Sequence, residues 1–396
     1  MKKFLALALA LAMIFALGAC AAKNPTTETD LPDTAETDTP ELPETGDTED
    51  GEGLKIAIVT SPSGVDDGSF NQDNYEGVLA FIAANAGSTV NPIQEGDINN
   101  SVNAVAEIIA DYDVIVTPGF QFGGITTLAQ ENPDKFFILV DSFPANMEDP
   151  EGDAPVVDNI YAMQFAEQES GFFAGISAAM ETKTGKVAVV NGIAYPSNVN
   201  YQFGFEAGVA YANAKLGTEA ECVEIASYAG TDVRGIDVGG NYVGDFNDPA
   251  TGKVVGAALI EQGVDIIFVA AGNSGNGVFT AAKEAKDVFV IGCDVDQFDD
   301  GVNGDSNIVL TSGLKNMAIN VERQLGAIAD GSFKGGNYTL YADTDSTGYV
   351  SADGRHQLSE ETLAALDEAY QLIKDGEIVP PSNFSEETVE NFKGLE

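Results

Sequence analysis

The 396-residue chain carries one histidine, His356, and three cysteines, and its 18 lysines and arginines stand against 63 aspartates and glutamates. So little histidine and cysteine leaves no cluster with the spacing of metal ligands. Cys20 lies in the N-terminal segment, and the remaining Cys222 and Cys293 are too few for a disulfide framework; two free thiols are expected. A formal charge of −45 excludes a surface built for nucleic acid or anionic lipid headgroups, and it disfavours a strongly anionic ligand unless a local cation is supplied. Beyond the N-terminal segment no hydrophobic run is long and uninterrupted enough to span a membrane. Catalytic signatures are missing too. There is no nucleophile elbow, and "GNSGNG" has neither the Gly-Lys-Ser/Thr ending of a phosphate loop nor the spacing of a dinucleotide fingerprint. No catalytic residue, metal or cofactor is expected.

At the start, Lys2 and Lys3 precede "FLALALALAMIFALGAC", an apolar run short for a membrane span that closes on small residues. Its end, Leu17 to Cys20, resembles the lipobox of bacterial lipoproteins, which implies a signal peptide over residues 1–19 and a lipid on Cys20. An ordinary secretory signal with an incidental Cys20 is the alternative. Residues 20–53 then hold the modified cysteine and a linker of Thr, Pro, Asp and Glu with no basic residue after Lys23. That composition buries too little surface to offset its ordering entropy, and self-repulsion with proline keeps it extended. The expected arrangement is a stalk holding the domain on the extracytoplasmic face of the cell membrane.

The body repeats one beat: a short apolar run, a turn, a helical stretch. The runs are "LKIAIV" (54–59), "DVIVTPG" (113–119), "KFFILVD" (135–141), "NIYAMQF" (159–165), "KVAVVNG" (186–192), "DIIFVAAG" (265–272), "VFVIGCD" (288–294) and "NIVLTSG" (307–313). Near-continuous apolar character fits parallel strands covered on both faces. Between them lie helix candidates, among them Asn71–Ala86, Tyr201–Leu216, Gly252–Gln262 and Met317–Ala329. The fold class is α/β. There are too many strands for one ordinary sheet, so two doubly wound lobes joined by a hinge are expected. Residues 54–164 form the first lobe, 165–311 the second, 312–340 return to the first, and 341–396 return to the second.

Such sheets bind ligands beyond the carboxyl ends of their strands. After the first strand comes "VTSPSGVDDGSFNQ", which brings Ser61, Asp66, Asp67, Phe70 and Asn71 into one connection. Ser69 and Gln72 have the spacing of a capping box. Phe70 has two readings, a ring that stacks on a flat ligand or a plug over the sheet. Other strand ends offer Phe120 and Phe122, Asp141, Gly272 and Asn273, Asp294 and Asp296, and Lys315 at a helix start. A carboxylate accepts two hydrogen bonds and so suits a vicinal diol. Asp294 and Asp296 alternate along the chain, so one of them faces away.

The motifs "VDDGSFNQDNYEG", "FAEQESGFFAG", "GKVAVVNG", "FGFEAGV", "DFNDPATGK", "AAGNSGNGVF", "IGCDVDQ" and "LTSGLKNM" occur in the order seen in the basic membrane protein family, which the chain resembles from Leu54 to its C-terminal region. The resemblance implies a two-lobed fold like type I solute-binding proteins, a nucleoside ligand with purines preferred, and an ABC transporter permease as partner. It places Phe70 on the base, Asp294 on the ribose hydroxyls and Lys315 beside the sugar. Asp141, Asn71, Tyr201 and the backbone around Gly272 complete the implied pocket, and Ser61, Asp67, Phe120 and Asn273 join them as strand-end candidates. Three departures stand out. Ser61 replaces an aspartate common in relatives, Gly68 replaces a lysine, and residues 231–246 form a longer segment. The rival readings are a sugar or autoinducer receptor on the same scaffold, a nucleoside hydrolase, and a surface adhesin.

Overall fold

The structure, a computed structural model, describes residues 53–146, 149, 152–383 and 385–395. The expected signal peptide, the lipobox at Cys20 and nearly all of the acidic linker lie outside the described residues. The first part of the chain alternates strands β1 (Lys55–Thr60), β2 (Thr89–Gln94), β3 (Val114–Pro118), β4 (Phe136–Val140) and β5 (Ile160–Phe165) with helices α1 (Phe70–Ala84), α2 (Ser101–Ile108) and α3 (Thr126–Glu131). The second part runs through α4 (Glu167–Glu181), β6 (Lys186–Asn191), α5 (Pro196–Tyr211), β7 (Glu221–Cys222), a small ribbon β8 (Gly230–Thr231) with β9 (Asp237–Gly239), and α6 (Pro249–Glu261). It continues with β10 (Ile266–Ala270), α7 (Gly275–Glu284), β11 (Phe289–Asp294), a second ribbon β12 (Val302–Asn303) with β13 (Ser306–Asn307), and β14 (Val309–Lys315). The chain closes with α8 (Met317–Ala329), β15 (Gly336–Leu340), β16 (Thr347–Tyr349) and α9 (Glu360–Lys374).

Two six-stranded sheets result, ordered β15-β5-β4-β3-β1-β2 and β16-β14-β11-β10-β6-β7. The first is wholly parallel, and in the second only β16 runs antiparallel to its neighbour. Central strands such as β3 and β10 are buried at every position, because helices cover both faces of each sheet. The edges are different. β2, "TVNPIQ", has no buried residue and carries Pro92, which an edge strand tolerates because one side needs no ladder donor. β15, "GNYTL", lies at the opposite edge. Neither shows the continuous apolar signal by which the inner strands are recognised, and both escape a reading based on it.

The chain passes between the sheets three times: from β5 to α4, after β14, and between β15 and β16. The passage expected near Ser312 falls after Lys315 instead. β14 stays paired with β11 through Leu314 and with β16 through Lys315, so the strand cannot leave its sheet earlier. Two helices also start before their apolar periodicity does. α5 begins at Pro196 rather than Tyr201, and α6 at Pro249 rather than Gly252, each with proline in the first turn, where its missing N–H is harmless. Asp248 caps α6 by accepting from Thr251 N at 3.0 Å.

α4 and α5 approach each other backbone to backbone. Gly171 and Gly175 on one helix face Gly204 and Gly208 on the other, and a Cβ at any of the four would run into the partner helix's main chain. The contact leads directly to Tyr201 and to the first turn of α4, both next to the cleft described below. Gly175→Ala is therefore expected to force the helices apart and cost about 1–3 kcal/mol. Urea unfolding should show a lowered midpoint at unchanged slope.

Candidate ligand-binding cleft between the lobes

The carboxyl ends of both sheets face one cleft of about 660 Å³, part of it open to solvent. Loops following β1, β3 and β4 supply one wall, and those following β6, β10, β11 and β14 the other. Ser61, Asp67, Phe70, Asn71, Phe120, Asp141, Tyr201, Gly272, Asp294 and Lys315 all line it. Asn273 does not. Its amide turns away to donate to Asn247 Oδ1 at 2.6 Å, while the backbone of Gly272, at φ 52°, reaches the cleft. Phe122 is wholly buried in the first lobe's core, and Asp296 faces outward to pair with Arg355 at 2.6 Å.

The connection after β1 is built around Asp67. Its Oδ1 accepts from Ser69 N at 3.1 Å and Gln72 N at 3.0 Å, and its Oδ2 accepts from Asn71 N at 3.0 Å. A carboxylate with two oxygens thus satisfies three backbone donors at the start of α1, more than a hydroxyl could. This replaces the expected Ser69–Gln72 capping box. Ser69 makes no capping bond with its side chain, and Gln72 Oε1 accepts from Gly68 N at 3.1 Å. The Ser69 hydroxyl is directed instead at the other lobe, to Asp294 Oδ2 at 2.9 Å. Burial raises the Asp67 carboxyl above its ordinary pKa, against the lowering effect of those backbone donors.

Asp141 and Asp294 follow β4 and end β11, one in each lobe, and both sit in the left-handed region at φ 60° and 68°. Side chains other than glycine rarely adopt that conformation, which marks both positions as held by their surroundings. Lys315, 2% exposed, lies between them. Its Nζ is 2.6 Å from Asp141 Oδ2, 3.5 Å from Glu167 Oε1 and 4.0 Å from Asp294 Oδ1, and 4.8 Å from the centre of the Phe70 ring. Burial alone would lower the lysine's pKa, but the carboxylates of Asp141, Glu167 and Asp294 raise it, so the ammonium persists. Burial pushes the Asp141 carboxyl up, and the Lys315 charge offsets this only in part. Tyr201 donates to Asp294 Oδ1 at 2.8 Å. Two buried acceptors, Asp141 Oδ1 and Asn71 Oδ1, have no hydrogen-bond partner among the described residues.

Several lining groups escape a reading of strand ends. Tyr195 and Phe246 join Phe120 in a run of rings, with centroids 5.2 Å apart for Phe120–Tyr195 and 5.9 Å for Tyr195–Phe246. Tyr195 is missed when α5 is started at Tyr201. Phe246 lies in the loop between β9 and α6, away from any sheet strand, and its only signal is an aromatic residue just before the Asp248 cap. Cys293, 2% exposed, also reaches the cleft and is a free thiol, as is the partly buried Cys222.

Residues 54–232 and 226–383 match the family described as "ABC transporter substrate-binding protein PnrA-like". The chain belongs to this family. The ABC transporter nucleoside-binding protein BmpA of Lactococcus lactis subsp. cremoris is 30% identical over 348 residues, covering 83% of this chain and 89% of its own. Basic membrane protein A of Borreliella burgdorferi is 27% identical, covering 85% and 90%, and a CD4+ T-cell-stimulating antigen of Listeria innocua is 30% identical, covering 94% and 98%. Among solved structures, an ABC transporter solute-binding protein from Aeropyrum pernix K1 superposes with a TM-score of 0.69 at 23% identity, covering 84% of this chain and 94% of its own, and shows the shared fold. PnrA-like proteins are the extracytoplasmic binding components of transporters, so this chain is a binding protein and not a hydrolase. No helix among the described residues is long and apolar enough to cross a membrane.

Several acids in this PnrA-like protein are buried enough to hold protons near neutrality. Burial raises Asp73 and Glu169 to about 7 and Glu206 to about 8, from ordinary values of 3.8 for Asp73 and 4.5 for the glutamates, and it pushes Glu167 up against the opposing charge of Lys315. Between these limits the folded state binds more protons than the unfolded chain, so stability falls as pH rises. The urea midpoint is expected to be higher at about pH 5.5 than at about pH 8. Glu206→Gln, which cannot release a proton, should flatten the upper part of that slope.

Proposed function

We propose that the cleft captures a nucleoside, preferentially a purine one, for delivery to the permease of an ABC transporter, with Cys20 anchoring the mature protein to the membrane. The observation that carries this reading is one cleft bordered by aromatic rings from both lobes and by buried acceptors that lack donors among the described residues. Phe70 and Phe120 come from the first lobe, and Tyr195, Tyr201 and Phe246 from the second. A flat base stacks on such rings, with roughly 1–3 kcal/mol per stacked base by analogy with nucleic-acid platforms. Asp141 Oδ1 and Asn71 Oδ1 call for N–H or O–H groups, which a base edge and a ribose supply. Asp294 accepts from Tyr201 and the Cys293 thiol on Oδ1 and from Ser69 on Oδ2, and its Oδ2 retains acceptor capacity for a hydroxyl.

The charge balance favours a neutral ligand. One ammonium, Lys315, is set against the carboxylates of Asp141, Glu167 and Asp294, leaving no spare positive charge for a phosphate. A nucleotide fits less well than a nucleoside. The name of the Lactococcus lactis relative is consistent with this ligand class. Ser61, which departs from the family pattern noted above, lines the cleft and its Oγ accepts from Asn71 Nδ2 at 3.1 Å; this change from aspartate bears on base choice.

Calorimetric titration with inosine, guanosine, adenosine, cytidine and their deoxyribose analogues tests the reading, together with mass spectrometry of whatever co-purifies. Purine nucleosides should bind most tightly, and Phe70→Ala should weaken them by roughly 10- to 100-fold. Deoxyribose analogues should bind less well than the ribonucleosides. Binding of free sugars with no response to nucleosides would point to a sugar receptor and overturn the proposal.

A further inference from the structure

The loop between β1 and α1 belongs to the first lobe, yet four of its residues hydrogen-bond directly to the second. Ser69 Oγ donates to Asp294 Oδ2 at 2.9 Å, and Gln297 Nε2 donates to Gly68 O at 3.3 Å. Ser63 Oγ donates to Phe246 O at 3.3 Å, and Asn247 Nδ2 to Pro62 O at 3.2 Å. All four bonds are made by protein groups alone, and they must break when the lobes separate. Ser69 is 5% exposed and, unlike its neighbours Phe70 and Asn71, does not line the cleft. Its hydroxyl is also free of the helix-capping duty that its position suggests, because Asp67 performs it. The Ser69 side chain therefore makes a bond between the lobes rather than one that supports its own helix.

We propose that Ser69 is a positioning residue that latches the closed state: its hydroxyl ties the first lobe to Asp294 and holds that carboxylate in place for the ligand without touching the ligand itself. The latch is made only on closure, so it adds to retention of the ligand rather than to the rate of encounter. Asp294 is held from the second lobe by Tyr201 and from the first by Ser69, and thereby senses both halves of the cleft at once. The departure at Gly68 fits this role. At φ 71° glycine turns the chain so that its own carbonyl meets Gln297 while the next hydroxyl meets Asp294.

The nucleoside arm of the test rests on the function proposed above; the other arm does not. Ser69→Ala removes the hydroxyl and leaves the Asp67 cap intact, and Ser69→Thr restores a hydroxyl. In the first arm, small-angle X-ray scattering and hydrogen exchange are measured on the full chain without ligand. Ser69→Ala should give a larger radius of gyration and faster exchange over residues 62–72 and 294–300, with the amides of α9 unchanged, while Ser69→Thr stays near wild type. In the second arm, stopped-flow binding of inosine should show dissociation roughly tenfold or more faster in Ser69→Ala, as expected for a lost hydrogen bond to a charged group, with association little changed. Scattering, exchange and dissociation indistinguishable from wild type in Ser69→Ala would overturn the latch. If wild type binds no nucleoside, the functional proposal fails while the ligand-free arm still decides on the latch.

Discussion

The buried ammonium of Lys315 is the interaction on which the site depends. It leaves β14 at the point where the chain crosses between lobes, and it pairs with Asp141 from one lobe and with Glu167 and Asp294 from the other. A lysine in this position would lose its charge to desolvation if those carboxylates were absent. Equally, several acids could not share so small a buried volume without it. The group is thus self-consistent only when both lobes are present and close together. This places the charge balance of the cleft under the control of lobe closure.

Around this centre, the two sheets act as rigid mounts. Continuous apolar strands under helices on both faces make most of the interior apolar, and the chemistry of the cleft collects at the strand ends. The glycine-lined contact of α4 with α5 brings Tyr201 and Glu167 into the same neighbourhood, one reaching Asp294 and the other Lys315. Left-handed backbone at Asp141 and Asp294 then turns each carboxylate from the end of its strand into the cleft. Backbone strain, helix packing and ion pairing converge on one place.

Binding proteins of this kind need the reverse of a tightly fixed site: a geometry complete when closed and incomplete when open. The loop after β1 meets that need by dividing labour among adjacent residues. Asp67 organises the backbone, Phe70 and Asn71 face the cleft, and Ser69 reaches across it. Asp141 Oδ1 and Asn71 Oδ1, which have no donor among the described residues, lie at the same place. Their unmet hydrogen-bonding capacity is what a ligand with several donors would satisfy.

Much of this was legible in the chain. Apolar runs such as "KVAVVNG" and "DIIFVAAG" identify buried parallel strands because a strand covered on both faces can hardly be polar, and the residues at or just beyond the ends of such strands, Asp141, Gly272, Asp294 and Lys315, fall at the cleft for reasons of topology. Edge strands β2 and β15 were not legible, since a strand exposed on one side carries no such signal. Nor were Tyr195 and Phe246, which reach the site from a helix start and a long loop. The exchange of roles between Ser69 and Asp67 was equally hidden: the capping-box spacing describes local backbone, whereas Asp294, the partner Ser69 takes, is 225 residues away. Local sequence determined where strands end and which polar residues stand there; only the folding of two lobes against each other decided which of those residues meet, because hydrogen bonds and ion pairs depend on distances that chain order does not contain.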